Sequence, residues 1–459
     1  MLTDTPPRPA DLAQVLGLCR DVHRQKLPHS PDLFALARSC SHKPGTVFLA
    51  SGGLVDSARH HILALCPWFV LSSKGHSWTC RRGEQSLTGS GSPLPILRAL
   101  LKHNHLPPSP EQGPVRAGFF GYLGYDLHRH IEDIACTCVD DLNLPDMYLA
   151  AASIVFIQDC RSGQTWLHLP LWEHDQAPSV ASRQELCRQW LQNCPKSPSC
   201  SEQLQAGPAH SSLSREQYLR AVQAILEYIR DGHVYQVNLS QRLTHTFKGH
   251  AFDLFTALFA RNPAPFYAFV QAEKHQIIST SPERFMKVDH GLVETRPIKG
   301  TRPRGHDPEQ DQALARELQE SIKDGAELSM IVDLMRNDLG RVCRPGSVQV
   351  TEHKRLEAYA NVFHLISIVQ GHLEEECDLV DLLAATFPGG SITGCPKVRA
   401  MQIIDELEAF QRHVYTGCIG YLGFDGQMDL SIAIRTAVVC EGRIVYSVET
   451  QPILKPRFT

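Results

Sequence analysis

Apolar residues recur along this chain at two spacings, which predict strands in some stretches and helices in others. Short apolar runs at 46–50 and 151–157 are bounded by turn residues and have the length of β-strands. The stretch 118–126 carries glycines among aromatic residues, which is typical of strands that pack closely or bulge. Residues 234–239 predict a further strand.

Three stretches have helical spacing instead. Ser214 and Gln217 form a capping box, and the helix they open is expected to end at 231–232. Residues 311–339 predict helix again, with Gly325 as the expected break between two helices. A last helix is predicted over 396–407, with Pro396 in its first turn.

Strands and helices alternate without a regular βαβ rhythm, so the pattern favours an α+β fold with large, mostly antiparallel sheets. Residues 194–213 are rich in proline, serine and glycine, which is typical of a linker. We therefore expect an N-terminal lobe at 1–193, a linker at 194–213 and a C-terminal domain at 214–459.

Composition narrows the class of protein. The chain has 459 residues, 42% of them hydrophobic, and a formal net charge of -4, so no nucleic acid or anionic membrane is expected as partner. The first residues do not resemble a signal peptide, and no apolar run is long enough to span a bilayer. The 15 cysteines are scattered, which favours reduced thiols. The sequence predicts a soluble, cytoplasmic protein.

A lysine in the stretch 295–301 is the first candidate for chemistry. Pro297 precedes Lys299 and Gly300 follows it, so we expect a rigid turn that presents the amine. Such a lysine is a solvated surface charge, an anion contact or, if partly desolvated, a nucleophile. The residues alone leave all three readings open.

The glycine-rich stretch 388–394 leads directly into the helix predicted at 396–407. Its glycines allow the backbone to approach a ligand, and a helix start offers free N–H groups to a phosphate or a carboxylate. The spacing matches neither a P-loop nor a dinucleotide-binding motif. The alternative is a plain connection with a capped helix.

Two charged residues stand in apolar surroundings. Glu327 lies on the helix predicted over 311–339, upstream of Asp333 and Asp338, so it is a candidate ligand for Mg²⁺ or a member of an intrahelical salt bridge. Arg435 falls in the apolar stretch 431–436, where we expect a strand, and it meets either a carboxylate or solvent there.

These stretches, with several others, resemble in sequence and order the chorismate-utilising enzymes. The motifs that carry the resemblance are 235–242, 281–285, 295–301, 326–327, 333–342, 387–400 and 420–436. The match covers most of the chain after the linker and extends weakly before it, at 49–52 and 121–126. The resemblance implies two large, mostly antiparallel sheets packed face to face, with helices outside.

Two positions indicate the reaction within this family. Lys299 stands where the members that form 4-amino-4-deoxychorismate have lysine, whereas the anthranilate-forming members usually have alanine. Gln236 replaces a lysine that activates water in the isochorismate-forming members. The resemblance thus implies amination of chorismate with ammonia, on the route to 4-aminobenzoate and folate. Anthranilate formation is the alternative within the family.

The resemblance also assigns roles. It implies that Lys299 adds to the ring as the nucleophile, that Glu283 protonates the leaving hydroxyl, and that Glu327 binds Mg²⁺. It further implies a separate glutamine amidotransferase subunit as the source of ammonia. The residues that the resemblance implies for substrate binding are Gln236, His364, Thr393, Gly394, Lys397, Tyr421 and Arg435.

One region departs from the family. After the strand expected at 443–447, relatives continue with a glycine-rich segment and a second magnesium-binding glutamate, which the stretch 448–459 does not match. Glu449 does not align with that glutamate. The expectation is a truncated end, with weak turnover or an inactive partner of the glutaminase subunit as its consequence.

Overall fold

The structure is a computed structural model that describes residues 9–107, 113–194 and 204–450. Within these residues the α-helices are α1 (Pro9–Leu16), α2 (Leu33–Cys40), α3 (Pro93–His103), α4 (Val180–Asn193), α5 (Arg215–Arg230), α6 (Ala251–Arg261), α7 (Pro308–Glu320), α8 (Ile322–Leu339), α9 (Leu379–Thr386) and α10 (Lys397–Leu407). Short 3₁₀ helices lie at Tyr125–His130 and Gly390–Ile392.

The strands of the first half are β1 (Leu18–Lys26), β2 (Val47–Ala50), β3 (His60–Lys74), β4 (Ser77–Arg82), β5 (Gln85–Ser90), β6 (Gly118–Leu123), β7 (Met147–Asp159), β8 (Thr165–Glu173), β9 (Gln205–Ala206) and β10 (His210–Ser211). Those of the second half are β11 (Gln236–Val237), β12 (Leu239–Lys248), β13 (Phe266–Gln271), β14 (His275–Ser281), β15 (Arg284–Asp289), β16 (Leu292–Arg296), β17 (Ile298–Pro303), β18 (Gln349–Ala358), β19 (Val362–His372), β20 (Gly394–Cys395), β21 (Cys418–Gly423), β22 (Met428–Ile432), β23 (Thr436–Cys440) and β24 (Arg443–Thr450).

Most of these strands belong to one continuous, antiparallel hydrogen-bonded network. One half runs through β12, β24, β23, β14, β13 and β2. The other half follows through β3, β7, β6, β21, β22, β15, β16 and β19. The α+β class and the large antiparallel sheet are confirmed, and the two sheets expected from the sequence are two halves of one network.

The core explains why the halves stay together. One buried cluster combines Ile277 and Val438 from one half with Phe120 and Ile419 from the other. Two further buried clusters pack helices against the sheet network. One cluster contains residues of α2 and α6, and the other contains residues of α3, α8 and α9. Because apolar side chains cover both surfaces of the central strands, those strands are buried on both faces.

Strands from both sides of the predicted linker share this network, since β2 pairs with β13 and β6 pairs with β21. Residues 195–203 of that linker lie outside the described part of the chain, and β9 and β10, which follow, both pair with β12. The division at 194–213 stays a prediction. In the described residues no helix is long and apolar enough to cross a membrane.

The helix predictions hold with two shifts. The capping box at Ser214 opens α5, and the helix ends at Arg230 as expected. The break in the 311–339 stretch lies at Ser321, not at Gly325, because the Ser321 side chain caps α8 by accepting from the Asp324 N–H. Pro396 is the N-cap of α10 rather than a residue of its first turn.

Gly300 offers a test of how tightly β17 packs on the helices. Its φ is +78°, and a Cβ there would lie 2.9 Å from atoms of both Asp324 and Leu318. Gly426 has nearly the same φ, +80°, with no atom within 4 Å of such a Cβ. Gly426→Ala therefore meets only the backbone cost of about 1–2 kcal/mol.

We expect Gly300→Ala to lower the free energy of unfolding by roughly 1–3 kcal/mol more than Gly426→Ala does, since overpacking adds to the same backbone strain. Denaturant unfolding of both variants measures the difference. Equal losses would mean that α7 and α8 do not confine β17.

Candidate active site

Lys299 lies in a strand, not in the turn that the sequence predicted. β16 and β17 both pair with β19, and only Pro297 separates them, so the chain stays extended through this stretch. The register shifts between Lys299 and Thr301, which makes Gly300 a bulge. The strand places the Lys299 side chain in the interior, where it is only 7% exposed.

A short chain of hydrogen bonds joins Lys299 to Glu283. The Lys299 Nζ donates to the Ser391 carbonyl oxygen at 2.9 Å, and the Ser391 hydroxyl donates to Glu283 Oε1 at 2.7 Å. All three residues are buried. Ser391 therefore links a buried amine to a buried carboxyl group.

Burial changes the acidity of Glu283. It raises the pKa of this carboxyl to about 7, although the Ser391 hydroxyl and the Lys299 charge oppose the shift. A carboxylic acid with a pKa near neutrality retains its proton in part of the molecules at pH 7. The environment thus suits Glu283 to donate a proton.

Gln236 and Asn238 form the next wall of the site. Gln236 Nε2 donates to Asn238 Oδ1 at 2.9 Å, and Asn238 Nδ2 donates to the Ser391 carbonyl at 3.1 Å. The Gln236 Oε1 is buried, with no hydrogen-bond partner among the described residues. Such an acceptor is costly to leave unpaired, so it is available to a ligand that donates a hydrogen bond.

The glycine-rich stretch closes against this wall. β20 pairs with β11, opposite Gln236. Gly394 has φ +146°, and a Cβ on it would lie 2.2 Å from the Gln236 carbonyl oxygen, so only glycine allows this approach. The Thr393 hydroxyl donates to the Gly389 carbonyl at 3.1 Å and thus stabilises the loop.

A buried ion pair fixes the position of this loop. Arg412 Nη2 lies 2.6 Å from Glu408 Oε1, and both side chains are nearly inaccessible to solvent. Arg412 also donates to the carbonyls of Asn238, at 2.6 Å, and Ile392, at 3.2 Å. Glu408 in turn accepts from the Ser240 N–H at 2.8 Å. The pair therefore holds the backbone next to Ser391 and Asn238.

His364 and Arg435 mark another side of the site. The imidazole Nδ1 of His364 is 3.0 Å from the Thr301 hydroxyl, and its Nε2 is buried with no hydrogen bond among the described residues. Burial, assisted by the nearby Arg435 charge, lowers the pKa of His364 to about 4. At neutral pH the imidazole is therefore uncharged.

Arg435 does not lie within a strand but directly before β23, and it meets solvent, which is one of the two alternatives that the sequence left open. The residue lies in a bend between β22 and β23, is exposed, and has φ +51°. The backbone N–H and the hydroxyl of Thr280 both donate to its carbonyl at 3.1 Å, which stabilises this unusual conformation. The Arg435 charge acts on His364, since it helps to lower the pKa of that imidazole.

Glu327 lies on α8 as predicted, and its carboxylate is 3.6 Å from the Lys323 ammonium. In the described part of the chain no group of three or more acidic, histidine or cysteine side chains could hold a metal ion. A single carboxylate still fits Mg²⁺, which is usually held by one or two carboxylates together with substrate oxygens.

Two predicted substrate-binding side chains are engaged elsewhere. The Lys397 Nζ contacts Asp338 Oδ2 at 2.6 Å and the Thr386 carbonyl at 2.9 Å, so its charge is already neutralised within the protein. Tyr421 lines a cavity together with Arg284 and Asp429. The structure does not bring Tyr421 together with Lys299 and Glu283.

Glu449 reaches the site although the sequence offered no alignment for it. β24 continues to Thr450, and Glu449 Oε2 accepts from Asn238 Nδ2 at 3.3 Å and from the Tyr415 hydroxyl at 3.4 Å. Its charge contributes to the raised pKa of Glu283. The stretch after Ser447 thus supplies an acidic group where none was expected.

Sequence reasoning missed Ser391, Asn238 and Arg412. Asn238 had a usable signal, because it stands two residues after Gln236, and alternate residues of an extended chain share a face. Ser391 competed with Thr393 in the same loop, and only the 3₁₀ turn decides between them. Arg412 gave no signal in the sequence.

Comparison with known proteins shows the family of this chain. Residues 67–448 match the family described as chorismate binding enzyme, and the chain therefore belongs to that family. It is 39% identical to aminodeoxychorismate synthase component 1 of Klebsiella aerogenes, over 92% of this chain and 91% of that protein.

Anthranilate synthases are also similar. The chain is 34% identical to anthranilate synthase component 1 of Acinetobacter calcoaceticus, over 92% of this chain and 88% of that protein. The crystal structure of anthranilate synthase component I from Streptococcus pneumoniae TIGR4 has a TM-score of 0.76 and 31% identity, and the match covers 88% of this chain and 89% of that one. The family is thus shown. The similar proteins include both an aminodeoxychorismate synthase and anthranilate synthases, so the similarity alone does not single out one activity.

The ion pair of Lys397 leads to a stability prediction. Lys397→Met leaves the buried Asp338 carboxylate unpaired, so we expect the free energy of unfolding to fall by roughly 3–5 kcal/mol. Adding Asp338→Asn should recover most of that loss. Arg336→Met is the matched control, because it breaks an exposed pair with Asp333 on the same helix, worth about 0–1 kcal/mol.

Denaturant unfolding and the KM for chorismate distinguish the two roles of Lys397. If Lys397→Met raises KM more than about tenfold (1.4 kcal/mol) while leaving the unfolding free energy unchanged, Lys397 binds substrate and the structural reading is wrong.

Proposed function

We propose that this chain aminates chorismate with ammonia to give 4-amino-4-deoxychorismate, through a covalent adduct on Lys299. The observation that carries the proposal is the buried Lys299 amine, linked through Ser391 to a carboxyl group whose pKa is near 7. An amine nucleophile and a proton donor on one site are what displacement of a ring hydroxyl requires.

In the first step the lone pair of the Lys299 nitrogen forms a bond to C2 of the ring, and the C4–O bond breaks. Glu283 gives its proton to the departing oxygen, which leaves as water. In the second step ammonia forms a bond to C4 and the Lys299 nitrogen leaves C2. A proton from the incoming nitrogen returns to Glu283, so that chorismate and ammonia give the amine and water.

The remaining residues would bind and orient the substrate. Arg435 would pair with a carboxylate of chorismate, as its exposed charge beside the site favours. The neutral His364 would offer its Nε2 to a substrate oxygen or hydroxyl. The unpaired Gln236 Oε1 would accept a hydrogen bond from ammonia or from the ring substituent.

Mg²⁺ is the proposed cofactor, with Glu327 as its protein ligand. When bound, the ion would offset the negative charge of a substrate carboxylate. A glutamine amidotransferase subunit is the proposed source of ammonia, since the similar proteins carry the designation component 1. Location in the cytoplasm and a role in making 4-aminobenzoate for folate belong to the same proposal.

Product analysis tests the proposal directly. The purified chain is incubated with chorismate, an ammonium salt and Mg²⁺. The products are then separated by chromatography and identified by mass spectrometry. We expect 4-amino-4-deoxychorismate without release of pyruvate, because the enolpyruvyl group is retained. Fluorescent anthranilate with stoichiometric pyruvate would favour the anthranilate activity instead. No consumption of chorismate, with or without a glutaminase subunit, would contradict an enzymatic role.

Glu283→Gln tests the proton donor. The amide keeps the shape of the side chain but has no acidic proton, so we expect kcat to fall on the order of 10²- to 10⁴-fold with little change in KM. Ser391→Ala is the comparison, because it removes a hydrogen bond to Glu283 but leaves the proton, and its loss should be smaller, about tenfold. Parental kcat in Glu283→Gln would exclude Glu283 as the acid.

A further inference from the structure

A buried tyrosine lies against the candidate histidine. The rings of Tyr359 and His364 meet edge to face, with centroids 5.1 Å apart and an interplanar angle of 75°. Both residues are buried. Edge-to-face contacts of this kind favour one ring orientation.

Tyr359 is itself anchored. Its hydroxyl donates to Glu357 Oε2 at 3.0 Å, in a buried position. Glu357 stands directly across from His364 in the pairing of β18 with β19, so the carboxylate and the imidazole belong to neighbouring strands. The main chain of Tyr359 is also fixed, because its N–H donates to the Val362 carbonyl and its carbonyl accepts from Arg304, at 2.8 and 2.9 Å.

The anchor continues to the N-terminal part of the chain. Arg355 hydrogen-bonds Glu357 and donates to Asp56 Oδ1 at 2.9 Å. Arg296 donates to the same carboxylate oxygen at 2.7 Å. Next to Asp56, Val55 and Ala58 pack on Tyr359 in a small buried cluster. The tyrosine is therefore held by its hydroxyl and by its ring.

On the other side, the Thr301 hydroxyl contacts the imidazole Nδ1 at 3.0 Å. The ring of His364 thus has a hydrogen bond at one edge and Tyr359 against it, which leaves Nε2 for the substrate. A side chain held from two sides keeps a fixed geometry, and preorganised donors and acceptors are what active sites need.

We infer that Tyr359, anchored by Glu357, is a positioning residue that holds His364 in its productive orientation. This inference rests on the proposed function, in which His364 contacts the substrate. Tyr359 does not touch the substrate itself, and it acts through the imidazole alone.

Kinetics of four variants test the coupling. Tyr359→Phe keeps the ring and loses the anchor, so we expect kcat to fall about three- to tenfold with KM within twofold. Tyr359→Leu loses the ring as well and should lower kcat further. In the His364→Ala background, Tyr359→Leu should have no additional effect, because residues that act as one unit are not additive.

The matched control is Tyr228→Phe. Tyr228 also donates its hydroxyl to a glutamate, Glu406, at 2.8 Å, but it lies on α5, where it packs in another cluster of side chains. We expect parental kcat in this variant. The inference would be overturned if the fold-losses in kcat of Tyr359→Leu and His364→Ala multiply in the double variant. Parental kcat in Tyr359→Leu would overturn it as well.

A second readout does not depend on turnover. NMR titration of the His364 imidazole should give a pKa near 4 in the parent, because the ring is buried. We expect Tyr359→Leu to raise this value by at least about one unit as water gains access, and Tyr228→Phe to leave it unchanged. An unchanged imidazole titration in Tyr359→Leu would contradict the positioning role. If the titration moves while His364→Ala leaves turnover intact, positioning stands and the proposed role of His364 fails.

Discussion

The candidate site depends on the buried ion pair between Arg412 and Glu408. Both side chains are almost completely buried. Arg412 donates hydrogen bonds to the carbonyls of Asn238 and Ile392, and Glu408 accepts one from the Ser240 N–H. A buried ion pair contributes little net stability, because desolvation offsets most of the attraction. Its effect here is positional: it joins the start of β12 to the loop that carries Ser391. Together with the Asn238 amide, which donates to the Ser391 carbonyl, that link keeps Ser391 between Lys299 and Glu283.

Burial then sets the chemistry of the groups that this link brings together. The low-dielectric interior penalises charge, and it raises the pKa of Glu283 while lowering that of His364. The same environment thus yields a carboxyl group that is protonated in part of the molecules at pH 7 and an imidazole that is uncharged. Glu449 adds a negative charge close by, which favours the protonated form of Glu283 further. The site thus combines an acid, an amine and a neutral hydrogen-bonding ring.

Much of the fold could be predicted from the sequence, because local signals were strong. The capping box at Ser214 and the apolar spacing after it gave α5, and the resemblance at 295–301 and 281–285 pointed to Lys299 and Glu283. What failed was geometry that depends on distant partners. Arg435 was expected in a strand, but Thr280 hydrogen-bonds its carbonyl and stabilises a bend. No periodicity in the sequence indicates that Arg412, which follows α10, would donate to the Asn238 carbonyl. Nor does any indicate that Lys397 would pair with Asp338.

The central claim is that Lys299 forms a covalent bond to the substrate. Intact-mass spectrometry of the chain mixed with chorismate and Mg²⁺, in the absence of ammonia, tests it most directly. The account predicts an added mass equal to chorismate less one water, mapped by peptide digestion to Lys299, absent from Lys299→Ala and discharged when an ammonium salt is added. An adduct that persists in Lys299→Ala, or turnover by that variant at the parental rate, would contradict it.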